Sequence, residues 1–126
     1  MMVALAIVVS ACKTQEPDPG QDDIQFVSLT VQVVNQYDGF ADVSSESAIK
    51  FKTFAPTRVI GVIYAGSFNI GAYTVDLPST DGQWASKSMP PTESSLPRGV
   101  YETRLELILE SNSKTVTGAG NPITVK

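Results

Sequence analysis

In 126 residues the chain carries one cysteine and no histidine, so the side chains able to do chemistry are few. The absence of histidine removes the commonest general base at neutral pH and the commonest nitrogen ligand for zinc or copper. The single thiol, Cys12, heads the stretch "KTQEPDPGQDD", which is too polar to order a site around a thiolate. Asp38 and Asp42 in "YDGFADVSSES" come nearest to an acid and base pair. Glycosidase chemistry needs two carboxyls at a set separation across a cleft, whereas a polar loop supplies such spacing with no cleft. The oxygens of Asp38, Asp42 and Glu46, like those of Asp18, Asp22 and Asp23, suit calcium, but the tether aspartates lack the alternating ligand spacing of calcium loops. No glycine-rich loop follows a strand and opens a helix, so nothing points to a nucleotide. The expectation is a non-enzymatic chain that uses neither cofactor nor metal.

Cys12 gains its meaning from what precedes it. Met1 to Val9 are all apolar, Ser10 and Ala11 are small, and the sequence turns charged directly after the cysteine. This order resembles the lipobox of bacterial lipoproteins, in which a signal peptidase cuts before the cysteine and lipid is attached to its sulfur. The resemblance implies a signal peptide over 1–11, a diacylglyceryl thioether on Cys12, and an N-acyl chain such as palmitate. No Lys or Arg precedes the apolar run, so the true start is expected upstream of Met1 or at a different codon. Eleven helical residues rise only about 16 Å against a hydrocarbon core of roughly 30 Å, which excludes the recorded segment as a membrane span. Two or more acyl chains, at about 0.8 kcal/mol per buried methylene, hold a protein durably where one does not. A lone cysteine forms no intramolecular disulfide, so the fold rests on packing.

Residues 12–23 read as a lipidated cysteine followed by an acidic tether, interrupted by Pro17, Pro19 and Gly20. The formal net charge of -4, with no run of Lys or Arg, leaves no footprint for a phosphate backbone, and nucleic acid is excluded as a partner.

The elements that would position any site begin at Ile24. "IQFVSLTVQVV" alternates, placing Val27, Leu29, Val31 and Val33 on one face. "AIKFKTF" sets Ile49 and Phe51 inward between Lys50 and Lys52. "RVIGVIYAG" is apolar at both parities and suits a central strand covered on both sides. "FNIGAYTVDL" follows Gly66 and Ser67 closely enough for a hairpin. "GVYETRLELILE" reads as a strand with Tyr101, Thr103, Leu105, Leu107 and Leu109 inward, because a helix would stack Glu102, Glu106 and Glu110 at repulsive spacing. "NPITVK" supplies a last short strand. About seven strands over 24–126 predict an all-β sandwich.

"RGVYETRLELIL", with its turn and closing strand, is similar to the final hairpin of immunoglobulin-like modules of the PKD or fibronectin type III kind. That likeness implies a corner bond from the Tyr101 hydroxyl. The chain departs from a true immunoglobulin domain in having no cysteine pair and in placing its only tryptophan, Trp84, after "STDG".

Function is then expected to be binding. A lipid-anchored protein of the cell envelope, on the outer membrane and facing the periplasm or the exterior, would serve as a structural or accessory module for another envelope protein. The alternative is a glycan reader, in which Trp84, Tyr73 and Tyr64 offer flat faces to sugar rings. Trp84 stands among Asp81, Gln83, Ser86 and Lys87 and is expected to be exposed.

Overall fold

Strands that keep one apolar face must bury it, and the longer of the ten strands do so within residues 21–126, the part of the chain that the computed structural model describes. The ten are β1 (Asp23–Tyr37), β2 (Phe40–Lys52), β3 (Thr57–Ala65), β4 (Phe68–Leu77), β5 (Ala85–Ser88), β6 (Thr92–Pro97), β7 (Gly99–Tyr101), β8 (Thr103–Leu109), β9 (Lys114–Ala119) and β10 (Ile123–Val125). No helix occurs among them. Cys12, the signal segment 1–11 and tether residues 12–20 lie outside the described residues.

The expected all-β sandwich is present, with ten strands in place of about seven. One sheet is built on β2, which pairs with β1 along one edge and with β5 and β6 along successive halves of the other. The second sheet runs β9-β8-β3-β4, all antiparallel, and a two-stranded ribbon of β7 and β10 closes one end. The added strands come from polar stretches, "ASKS", "TESSLP" and "KTVTGA", whose alternation is too weak to read. The segment expected as one strand breaks at Glu102, because Tyr101 pairs with β10 while Thr103 onward pairs with β3.

The core forms where the inward faces meet. Val59, Ile63, Leu105, Leu107 and Leu109 from one sheet pack against Ile24, Leu29, Val31, Val43, Ile49 and Phe51 from the other, all buried. Val27 was expected among them and is instead 47% exposed. A bulge between Phe26 and Ser28 inserts one residue into β1, so Val27 faces out and the inward positions before it fall to Ile24 and Phe26. A second bulge, between Val33 and Asn35, turns Val34 outward in the same way. β3 is central as expected, between β4 and β8, but its second face is open: Ile60, Val62 and Tyr64 are half-buried beside the exposed Ile108.

Two devices lock the layers. Tyr73 lies directly across from Gly61, and a Cβ on Gly61 would occupy the space of the tyrosine ring. The Tyr73 hydroxyl meets Ser47 of the opposite sheet at 3.2 Å, a bond between the layers within the core. Along the outer edge of β1, Asn121 accepts from the Val31 N–H (2.9 Å) and donates to its carbonyl (2.8 Å), filling the place of a neighbouring strand. Gln36 does the same for Lys126. A free edge invites pairing with other chains, and the Asn121 amide occupies it at Val31. The Tyr101 hydroxyl donates to the Pro97 carbonyl at 2.7 Å, the corner bond anticipated from the sequence. No buried side-chain nitrogen or oxygen among the described residues lacks a partner.

Gly61→Ala forces a methyl group into the Tyr73 ring and is expected to cost about 1–3 kcal/mol, read as a lowered midpoint in urea unfolding. An unchanged midpoint would show that the ring moves aside freely.

Candidate functional site

β1 runs the length of the sandwich, and its two ends carry different surfaces. At a rise of about 3.3 Å per residue, Asp23 and Tyr37 stand at most about 46 Å apart. The chain enters the body at Asp22. Its carboxylate accepts from the Phe54 N–H (2.9 Å) and the Ser111 hydroxyl (2.7 Å), and Asn112 donates to its carbonyl. Next to it, Asp23 is ion-paired with Lys114. Burial favours the neutral acid there, but Lys114 and the Ile24 amide outweigh it and hold the Asp23 carboxyl below the usual carboxylate range.

Trp84 belongs to this entry end. It is 43% exposed, as expected, with the Lys52 ammonium 5.2 Å from its ring centroid. Lys52 is paired in register with Asp23. Exposed Phe54 covers Gly82 close by, on a loop fastened by Thr53 and Thr80. A broad open depression of about 820 Å³ lies at the same end, beside the Arg58–Glu110 ion pair (3.0 Å).

The other two aromatics expected with Trp84 do not join it. Tyr73 is only 9% exposed and faces the core, where burial raises the pKa of its hydroxyl against the smaller, opposing bond from Ser47. A ring so placed has no face for a ligand. Tyr64 lies on the outer side of the second sheet with the Arg104 guanidinium 4.2 Å over its ring. The carboxylates do not converge either. Asp38 sits in the β1–β2 turn, 3.8 Å from Arg98, while Asp42 and Glu46 share a face of β2 about 13 Å apart along the strand. Among the described residues no three metal-ligating side chains gather.

What the structure does assemble lies at the far end, on the outer face of the β2 sheet. The two-residue connection Asp38–Gly39, with Gly39 at a φ of 87°, folds β1 back onto β2 and sets Tyr37 opposite Phe40. Their rings stack at 4.7 Å between centroids and 21° between planes, and each residue is 44% exposed. One row inward, Asn35, Asp42 and Ser95 stand abreast on three strands. Asp42 is the hub of this row: it accepts from the Tyr37 hydroxyl (3.0 Å) and from the Ser95 hydroxyl (3.0 Å). The bond to Asp42, and the negative charge of its carboxylate, push the Tyr37 hydroxyl above its ordinary pKa. Beside the hub is a cleft of about 340 Å³, lined by Val34, Asn35, Asp42, Glu93 and Ser95 among others. Neither aromatic stood out in the sequence as a site residue. The signal was the turn dipeptide Asp-Gly between Tyr37 and Phe40, which makes those rings cross-strand neighbours.

No protein-family model matches the chain, and no curated protein matches it by sequence. Solved structures do match by shape. A β-glucuronidase from glycoside hydrolase family 2 is similar over 86% of this chain, with a TM-score of 0.55 and 16% identity. A calcium-binding mutant of Bacteroides uniformis β-glucuronidase 2 covers 76% at a TM-score of 0.46 and 12% identity. A protein assigned as a β-galactosidase from Bacteroides fragilis covers 85% at 0.44 and 14% identity. The chain spans only 13%, 14% and 16% of their respective lengths. At such identities the first likeness shows a shared β fold and nothing about activity.

Asp42→Asn removes the charge that disfavours the phenolate, so Tyr37 should ionise at lower pH in that variant. Ultraviolet difference absorbance during an alkaline titration reads this directly, and identical curves for the two proteins would count against the Tyr37–Asp42 bond.

Proposed function

We propose that this protein is a lipid-anchored accessory module of the cell envelope, held to the outer membrane through Cys12 and acting by binding rather than by turnover. The observation that carries the reading is the polarity of the body. The chain enters at Asp22, while the stacked Tyr37–Phe40 pair and the Asp42 hub lie at the opposite end of β1. Nine residues lie between Cys12 and Asp22, a reach of at most about 36 Å, so a lipid on Cys12 keeps the body close to a membrane.

Binding is favoured over catalysis by the disposition of the carboxylates. Asp38 is fully exposed and Asp42 is committed to two hydroxyl donors, so neither is held as a poised acid or base. The likeness to a small part of a β-glucuronidase agrees with an accessory β domain, since a fold that spans 13% of that enzyme accounts for only a fraction of it. The partner is a glycan or another envelope protein.

Fractionation of cells expressing the full chain tests the anchor. Wild-type protein is expected in the membrane fraction, with a mature N-terminus at Cys12 whose mass includes diacylglyceryl and acyl groups. Cys12→Ser is expected to shift the protein out of that fraction or leave it unprocessed. A soluble wild-type chain retaining residues 1–11 and a free thiol would overturn the anchored reading.

A further inference from the structure

The far-end surface has the composition of a site for one chemical class. Two stacked rings present exposed faces beside a cleft whose size falls at the lower end of the roughly 300–1,000 Å³ usual for small-molecule sites. Aromatic faces are electron-rich and attract the weakly positive C–H face of a sugar ring. The cleft wall adds hydrogen-bonding groups suited to a ligand that carries many hydroxyls. An ionised carboxylate has about four acceptor positions, and Asp42 spends two on Tyr37 and Ser95. Glu93 brings a second carboxylate, and Asn35 brings an amide that both donates and accepts.

Charge narrows the class. The cleft lining includes Asp42 and Glu93 and no Lys or Arg, so a sugar bearing a carboxylate or sulfate meets like charge there, while Arg98 at the neighbouring turn is directed to Asp38. Rigidity favours recognition as well. β2 is bonded to β1 and β6 on either side at this point, and the Asp42 bonds tie all three strands together, so little ordering is needed when a ligand arrives.

We propose that this face binds a neutral pyranose-containing glycan, one ring lying on the Tyr37–Phe40 pair and donating to Asp42, and the next ring lying along β2 and donating to Glu93. The inference rests on the binding-module reading above but is independent of the lipid on Cys12. It also moves sugar recognition away from Trp84, which lies at the entry end with the Lys52 ammonium over its ring.

The test is a glycan array probed with the full chain, followed by calorimetric titration of the best neutral oligosaccharide into wild type, Phe40→Ala, Glu93→Gln and Trp84→Ala. Binding confined to neutral glycans is expected, weakened at least about tenfold in Phe40→Ala and several-fold in Glu93→Gln, the loss of a stacked ring being about 1.4 kcal/mol per tenfold. Because Glu93 is exposed, Glu93→Gln remains informative if Phe40→Ala fails to fold. Four outcomes would overturn the proposal: no glycan bound, preference for uronates or cationic sugars, undiminished affinity in both far-end variants, or loss of binding only in Trp84→Ala. A soluble, unlipidated wild type that still binds neutral glycans would break the anchor reading and leave this one standing.

Discussion

Tyr73 laid over Gly61, with its hydroxyl against Ser47 of the facing sheet, is the contact on which the rest of the sandwich depends. Two sheets held by dispersion alone can slide, because apolar contact has no direction. A ring that fits only over a residue without a Cβ, and whose polar end reaches one hydroxyl across the core, fixes their relative position. From that register follow the buried ladder of Leu105, Leu107 and Leu109 on one side and the row of Val43, Ile49 and Phe51 on the other. The outer face of β2 is positioned by the same packing, and with it Asp42.

β2 organises both the core and the candidate site. Its even and odd residues serve different ends: Ala41, Val43, Ser45 and Ser47 face inward, while Phe40, Asp42 and Ser44 face out. Since the strand is bonded on both sides, its outward residues stand on one of the stiffest parts of the molecule. The edges are guarded by other means. Asn121 supplies a side-chain amide to the Val31 backbone on the outer edge of β1, which blocks that position to another chain, and Gln36 of β1 holds the Lys126 backbone in the same manner.

The two ends of the body suit two kinds of contact. At the entry end charged pairs are dense, with Asp23–Lys114 and Arg58–Glu110 around the exposed Phe54 and Trp84. The Arg58–Glu110 pair is exposed and contributes little to stability, whereas Asp23, partly buried, is held charged by Lys114. At the far end, stacked rings meet an acceptor-rich cleft. The attachment proposed at one pole and the recognition proposed at the other would not compete for the same area.

Much of this was written locally. Alternation in "AIKFKTF" and "TRLELIL" marked Ile49, Phe51 and the three leucines as inward, because a strand's side chains alternate whatever surrounds them. The turn residues around Gly66 marked a hairpin, the Gly-x-Tyr opening marked the Tyr101 corner bond, and the polar neighbours of Trp84 marked its exposure. Local pattern failed where a bulge reset the phase, sending Val27 outward, and where weakly patterned stretches became β5, β6 and β9 by pairing with strands already in place. It failed for Tyr73 too, since only the bare Gly61 across the ladder makes room for that ring inside. The sequence by itself determined the faces of the strands that carry no bulge and the place of the lone cysteine, properties set within a few residues. Only the tertiary structure decided that Tyr37, Phe40, Asp42 and Ser95 form one surface, because that depends on three strands meeting in register, and Ser95 is 53 residues from the aspartate it bonds.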